Sequence, residues 1–168
     1  MSDYSSYLSN PVFKVIQKKA DELDMKTYVI GGFVRDLILG NSSKDIDFVT
    51  LGDGITLAEK VAFELNPKLK VNVFKNFGTA QFFYKGTDYE FVGARKESYS
   101  RDSRKPVVES GTIEEEQKRR DFTINALAIC LNKSDFGLLT DPFDGINDLN
   151  NQIIKTPLDP DITFDDDP

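Results

Sequence analysis

The sequence predicts a mixed α/β domain of the α+β type, in which antiparallel hairpins outweigh a regular βαβ series. Three observations carry this. Apolar residues recur at helical spacing in two places: Val12, Val15, Ile16, Ala20 and Leu23, then Leu57, Ala58, Val61, Ala62 and Leu65. Three short β-prone runs follow one another between 70 and 93, with only a turn between the last two. The 168 residues are 39% apolar and include 13 Phe and 6 Tyr, enough for one domain with a sizeable core.

The elements follow in order. Asn10 before Pro11 is a good helix start, so a helix is expected over 11–23. Thr27 to Ile30 reads as a strand that runs into Gly31-Gly32, and Phe33 to Leu39 as a helix stopped by Gly40. Ile46 to Thr50 is a strand after the turn at 41–43, and the helix of 57–65 ends at Asn66-Pro67. Strands are expected at 70–75, 79–84 and 89–93, with Gly86 and Asp88 forming the last turn. Residues 96–116 show no period and read as one long, mobile loop, of the kind that is commonly functional. A turn at 141–145, a short helix at 146–149 and a strand at 152–154 complete the domain.

Composition narrows the chemistry. There is no histidine, which removes imidazole bases and His zinc sites. Catalysis must rest on carboxylates, Lys, Arg, hydroxyls or a metal held by oxygen. The single cysteine, Cys130, can form no internal disulfide, and a reducing cytoplasm is the expected home. No apolar run approaches the length of a membrane span. The net charge of −7 argues against a general nucleic-acid-binding surface. Basic residues nevertheless outnumber acidic ones over 95–120, so polyanion binding, if present, is local.

Several short patterns could carry chemistry. Asp45 and Asp47 stand two apart at a strand start, so their side chains share a face. Paired carboxylates repel unless a cation lies between them, and Mg²⁺ suits them, being held by one or two carboxylates plus phosphates. The spacing is equally that of two solvated aspartates. An EF-hand is excluded by Val49, Thr50 and Thr56. Gly31 and Gly32 join a strand to a helix, where backbone N–H groups can meet an anion and Arg35 can add a guanidinium fork. An ordinary turn, with Arg35 and Asp36 on a solvated face, has the same pattern. No Walker lysine motif is present. Arg119, Arg120 and Asp121 could grip a triphosphate and a ribose, or simply start a solvated helix. Glu90, on a strand, could join Asp45 and Asp47 or stand alone at the surface.

In combination and in this order, the patterns resemble the class II tRNA nucleotidyltransferase and bacterial poly(A) polymerase family, within the DNA polymerase β-like superfamily. The matching stretches are GGFVRD (31–36), KDIDFV (44–49), FGTA (77–80), YEFVGARKESY (89–99), RKPVVESGTIEEEQKRRDFTINALA (104–128) and DPFDGINDL (141–149). The resemblance implies a head domain with a mixed five-stranded sheet flanked by helices. It implies addition of CMP or AMP from CTP or ATP to a tRNA or other RNA 3′ end, with release of pyrophosphate by two-metal Mg²⁺ catalysis. Under it, Asp45 and Asp47 hold the metals and Glu90 assists. Gly31, Gly32, Arg35 and Asp36 handle the triphosphate, and Arg119, Arg120, Asp121 and Asn125 contact the nucleotide. Alternatives from the same sequence are a poly(A) polymerase, an enzyme adding only C or only A, and a non-catalytic nucleotide- or RNA-binding module.

Two departures stand out. Glu114-Glu115-Glu116-Gln117 occupies the place where many members have an Asp, and the chain stops at TFDDDP where the family continues into helices. The expected organisation is a tail at 1–10, the head at 11–156, and at 157–168 the start of a connection to a helical neck and body. Without those helices the chain is expected to bind NTP·Mg weakly and to be nearly inactive on tRNA.

Overall fold

A computed structural model describes residues 2–98 and 107–166. Helix α1 (Pro11–Glu22) begins as expected: the Asn10 side chain accepts the N–H of Val12, and Pro11 fills the first turn. Strand β1 (Thr27–Ile30) leads through Gly31 into α2 (Gly32–Ile38), and β2 (Asp45–Thr50) into α3 (Gly54–Leu65). Strands β3 (Asn72–Phe74), β4 (Thr79–Tyr84) and β5 (Thr87–Gly93) form a meander. Its last turn is Lys85-Gly86, both at positive φ, and Asp88 lies in β5 rather than in the turn. This two-residue geometry matches the twist of the flanking strands.

Residues 96–116 are not a single loop. Strand β6 (Arg95–Ser98) pairs antiparallel with β7 (Val107–Ser110), and the expectation of mobility between them falls on 99–106, outside the described residues. Helix α4 (Ile113–Lys118) follows, closed at its start by a capping box between Thr112 and Glu115. Strands β8 (Ala128–Cys130) and β9 (Leu139–Thr140) precede α5 (Gly145–Asn150) and α6 (Pro160–Asp166). The strand expected at 152–154 is absent. Gln152 turns left-handed, and the N–H of Ile153 returns to the carbonyl of Asp148, so these β-prone residues close α5 instead.

The α+β class is as expected, but the sheet is wider than five strands. Among the described residues it has seven, in the order β3-β4-β5-β2-β1-β8-β9. Only the central β2–β5 pair is parallel. The added strands on the β1 edge are two and three residues long, too short to show a period. One face carries the main core. Phe48, Phe82, Tyr89 and Phe91 stack across β2, β4 and β5 beneath α1 and α3. The opposite face has only a small apolar cluster of Ile30, Val49, Ala94 and Ala128, with Ile113 of α4 packed on it. The rest of that face is where the polar side chains of β2 and β5 emerge. The residues before α1 also lie on the domain, with Leu8 buried and the N–H of Tyr4 donating to the carbonyl of Gly137.

Candidate active site

The alternation of β2 sends Ile46 and Phe48 into the main core and puts Asp45, Asp47 and Val49 on the sparsely covered face. In the parallel pair, Asp45 is level with Asp88 and Asp47 with Glu90. Strands lie about 5 Å apart, so these four carboxylates form a two-by-two block. Asp45 is exposed, whereas Asp47 and Glu90 are half-buried. Burial pushes the Asp47 carboxyl above the usual carboxylate range; the Asp45 charge adds to this, and Arg120 opposes it. Glu90 is raised for the same reasons, first by burial and then by Asp47. The block is therefore short of positive charge.

The other flank of Asp47 is the end of β1, where Ile30 is its register partner. The next residue, Gly31, has φ +84°, a conformation that side chains rarely adopt. A Cβ there would stand 3.4 Å from Asp47 Oδ2 and 3.5 Å from an Arg120 guanidinium nitrogen. There is room for a Cβ at these distances, so it is the backbone conformation that calls for glycine here. Arg120 lies 3.8 Å from Asp47. Arg35, on α2, donates to Asn125 Oδ1 at 2.8 Å and to Asp36 Oδ1 at 2.9 Å. The Asn125 amide donates to Asp121 Oδ1 at 3.0 Å, and the N–H of Phe122 caps the same oxygen. Two motifs about 85 residues apart in sequence are joined by this chain of hydrogen bonds.

The result is an open cleft of about 520 Å³ between α2, α4 and the turn at 119–125. Gly31, Gly32, Arg35, Asp47, Arg119, Arg120, Asp121 and Asn125 all line it. Three expected residues do not. Asp36 is turned to Arg35 and acts as its partner. Asp45 and Glu90 stand beside the cleft on the sheet face, within electrostatic reach of Asp47. Inside the cleft, the guanidiniums of Arg35, Arg119 and Arg120 face the carboxylates of Asp47, Asp121 and Glu116. Side chains alone supply no net positive charge for a polyphosphate.

Among the described residues, no three His, Cys, Asp or Glu side chains converge into a ready metal cage. The donor set still fits a hard divalent cation. Carboxylate oxygens on an open face next to a phosphate-sized cleft suit Mg²⁺, which keeps waters and recruits phosphate oxygens.

Further residues support the site; the sequence reading noted Glu116 and Gln117 only as a departure from the family pattern and gave the others no role. Glu116 lines the cleft and accepts from Arg119 at 3.1 Å. Gln117 is fully buried, and its amide donates to the carbonyls of Ala126 (2.6 Å) and Thr140 (3.0 Å), fixing α4 to the sheet edge. Thr123 Oγ1 bonds Asp148 Oδ2 at 2.7 Å in the interior, and Asp141 caps the start of α5. A Cβ at Gly145 would collide with the carbonyl of Thr123, so α5 can press against the turn that carries Asn125. The Thr-x-x-Glu pattern at 112–115 signals α4; nothing local signals the Thr123–Asp148 pair.

A mixed sheet with carboxylates on its central parallel pair, beside an arginine-lined cleft at a strand–Gly-Gly–helix junction, is the DNA polymerase β-like nucleotidyltransferase fold. Residues 27–155 match the sequence profile of the Poly A polymerase head domain. The chain is 41% identical over 144 residues to the A-adding tRNA nucleotidyltransferase of Aquifex aeolicus, covering 86% of this chain and 17% of that protein. The Thermotoga maritima CCA-adding enzyme complexed with tRNA superposes with a TM-score of 0.80 at 37% identity, over 99% of this chain and 38% of that one. A CCA-adding enzyme with ATP gives 0.81 at 38% identity, over 99% and 39%. The chain belongs to the poly(A) polymerase head-domain family. It spans well under half the length of these relatives.

Proposed function

We propose that this chain is the catalytic head of a template-independent tRNA nucleotidyltransferase, adding CMP or AMP from CTP or ATP to an RNA 3′ end. The observation that carries the reading is one open sheet face on which Asp45, Asp47 and Glu90 adjoin the cleft of Arg35, Arg119 and Arg120. Phosphoryl transfer needs positioning and charge neutralisation more than covalent help, which suits a chain without histidine.

In this reading the cleft binds the nucleotide. The guanidiniums of Arg35 and Arg120 hold phosphate oxygens, with the N–H of Gly32 beside them, while that of Gly31 is committed to the Leu127 carbonyl. Asp121 and Asn125 orient the sugar, Asn125 being fixed from both sides by Arg35 and Asp121. Asp45 and Asp47, with Glu90 assisting, would hold Mg²⁺; when bound, it supplies the positive charge that polarises the phosphates and favours ionisation of the attacking hydroxyl. A bond forms between the RNA 3′-oxygen and the α-phosphorus as the bond to the bridging oxygen breaks. Pyrophosphate leaves and the hydroxyl proton passes to water. Residues 11–156 would make up the head and 157–168 begin the connection onward. A reducing cytoplasm suits the buried Cys130 thiol.

Asp47→Asn keeps size and removes charge. In the full-length protein, turnover should fall at least a hundredfold in a primer-extension assay while RNA affinity stays within twofold. Full turnover by this variant would sink the catalytic reading. Addition of A alone is a second reading, favoured by the names of relatives at 41% identity from Aquifex aeolicus and Geobacter sulfurreducens. Product length on a tRNA that lacks its CCA end separates the two.

A further inference from the structure

The sheet face that carries the carboxylates continues past them on the side away from the cleft. Strand β4 pairs with β5 so that Gln81 is level with Glu90, and Phe83 with Asp88. Alternation buries Ala80 and Phe82 in the main core and leaves Thr79, Gln81 and Phe83 on the open face. Phe83 is 60% exposed and stands in the same row as two aspartates. It lies two strand spacings from Asp45, roughly 10 Å. That is a span one nucleotide can bridge from its base to its 3′-oxygen.

In-line displacement puts the attacking and leaving oxygens on opposite sides of the phosphorus. The arginine cleft occupies the β1 side of Asp47, so the attacking hydroxyl must arrive over β5 and β4. Phe83 stands on that approach in the row of Asp45, whereas the exposed Phe74 is level with Thr79, four residues along β4 from Phe83. We propose that Phe83 is a stacking platform for the terminal base of the RNA acceptor, placing its 3′-hydroxyl over Asp45 and Asp47. A flat ring accepts any base, which is what an acceptor site needs when each addition changes the terminal base. The acidic block repels backbone phosphates, so an uncharged ring contact is the anchor this side of the face can offer. The inference rests on the nucleotidyltransferase reading.

The test compares wild type, Phe83→Ala and Phe83→Trp in the native protein, with primer extension of RNA at saturating nucleotide. The alanine variant should raise the KM for RNA about tenfold. The KM for nucleotide should stay unchanged, and Phe83→Trp should restore the RNA KM. The exposed position keeps the fold out of the comparison, which superimposable circular dichroism checks. Independently of turnover, RNA ending in 4-thiouridine should photocrosslink to the peptide containing Phe83. Unchanged RNA KM in the alanine variant, or crosslinks that map only elsewhere, would overturn the platform while leaving the enzyme reading intact. A wild-type full-length protein, head and following helices together, that extends no RNA would overturn both.

Discussion

Asp47 is where the competing charges meet. It is flanked by Asp45 along its own strand, Glu90 across the parallel pair and Arg120 from the turn at 119–125. Its raised pKa has a consequence for stability. The folded state holds the Asp47 proton more tightly than the unfolded chain does, so metal-free stability falls as pH rises from the ordinary carboxylate value through the raised one. Above that window both states are ionised and the penalty is complete. Asp47→Asn should therefore raise the melting temperature of the metal-free protein at pH 7. The gain should shrink steadily as pH is lowered through the window, and calorimetric scans from pH 7 to pH 4 check it. A variant less stable than wild type at pH 7 would mean that the Arg120 attraction outweighs burial and repulsion. A carboxylate retained at a cost in stability is the pattern expected of a binding group.

At the scale of elements, the cleft depends on short pieces that have little stability of their own. Helices α4 and α5 have six residues each, and the turn between them carries Arg120, Asp121 and Asn125. Buried polar contacts hold them: Gln117 to two carbonyls, Thr123 to Asp148. Asp148→Ala should destabilise the protein by about 1.5–3 kcal/mol, because it removes a charge-assisted bond and leaves the Thr123 hydroxyl buried. Denaturant titration measures this, and nucleotide affinity should fall with it as the Asn125 turn loosens. A change under 0.5 kcal/mol would mean that the Asp141 cap and apolar packing suffice to hold α5. Helix α5 was legible in sequence as the short helix at 146–149, but α4 was not. The long helices and the 79–93 hairpin are announced by period and turn residues, since burial on one face imposes the pattern. Strands β8 and β9 and the β6–β7 pair are too short or too charged to show one. Ile153 and Ile154 look like a strand but follow a helix cap, because a local hydrogen-bond pattern outweighed their β propensity.

For the whole molecule, the two faces of one sheet do different work. The aromatic stack under α1 and α3 makes the framework rigid, and the opposite face is left for charged groups. The sequence carried most of this, since Asp-Ile-Asp-Phe alternation places two carboxylates opposite two core residues. The pairing of Asp47 with Glu90, and of Arg35 with Asn125, lay beyond local reading because tertiary register creates it. Phe83 shows the same limit, because its exposure follows from the β4–β5 register and not from its type. In the proposed function this face binds nucleotide through a metal held by Asp45 and Asp47. The most direct test is calorimetric titration of CTP and ATP into the chain with and without Mg²⁺, alongside Asp45→Asn/Asp47→Asn. Binding should require Mg²⁺ and disappear in the double variant. Binding that is equally strong without Mg²⁺, or that survives the double substitution, would contradict it.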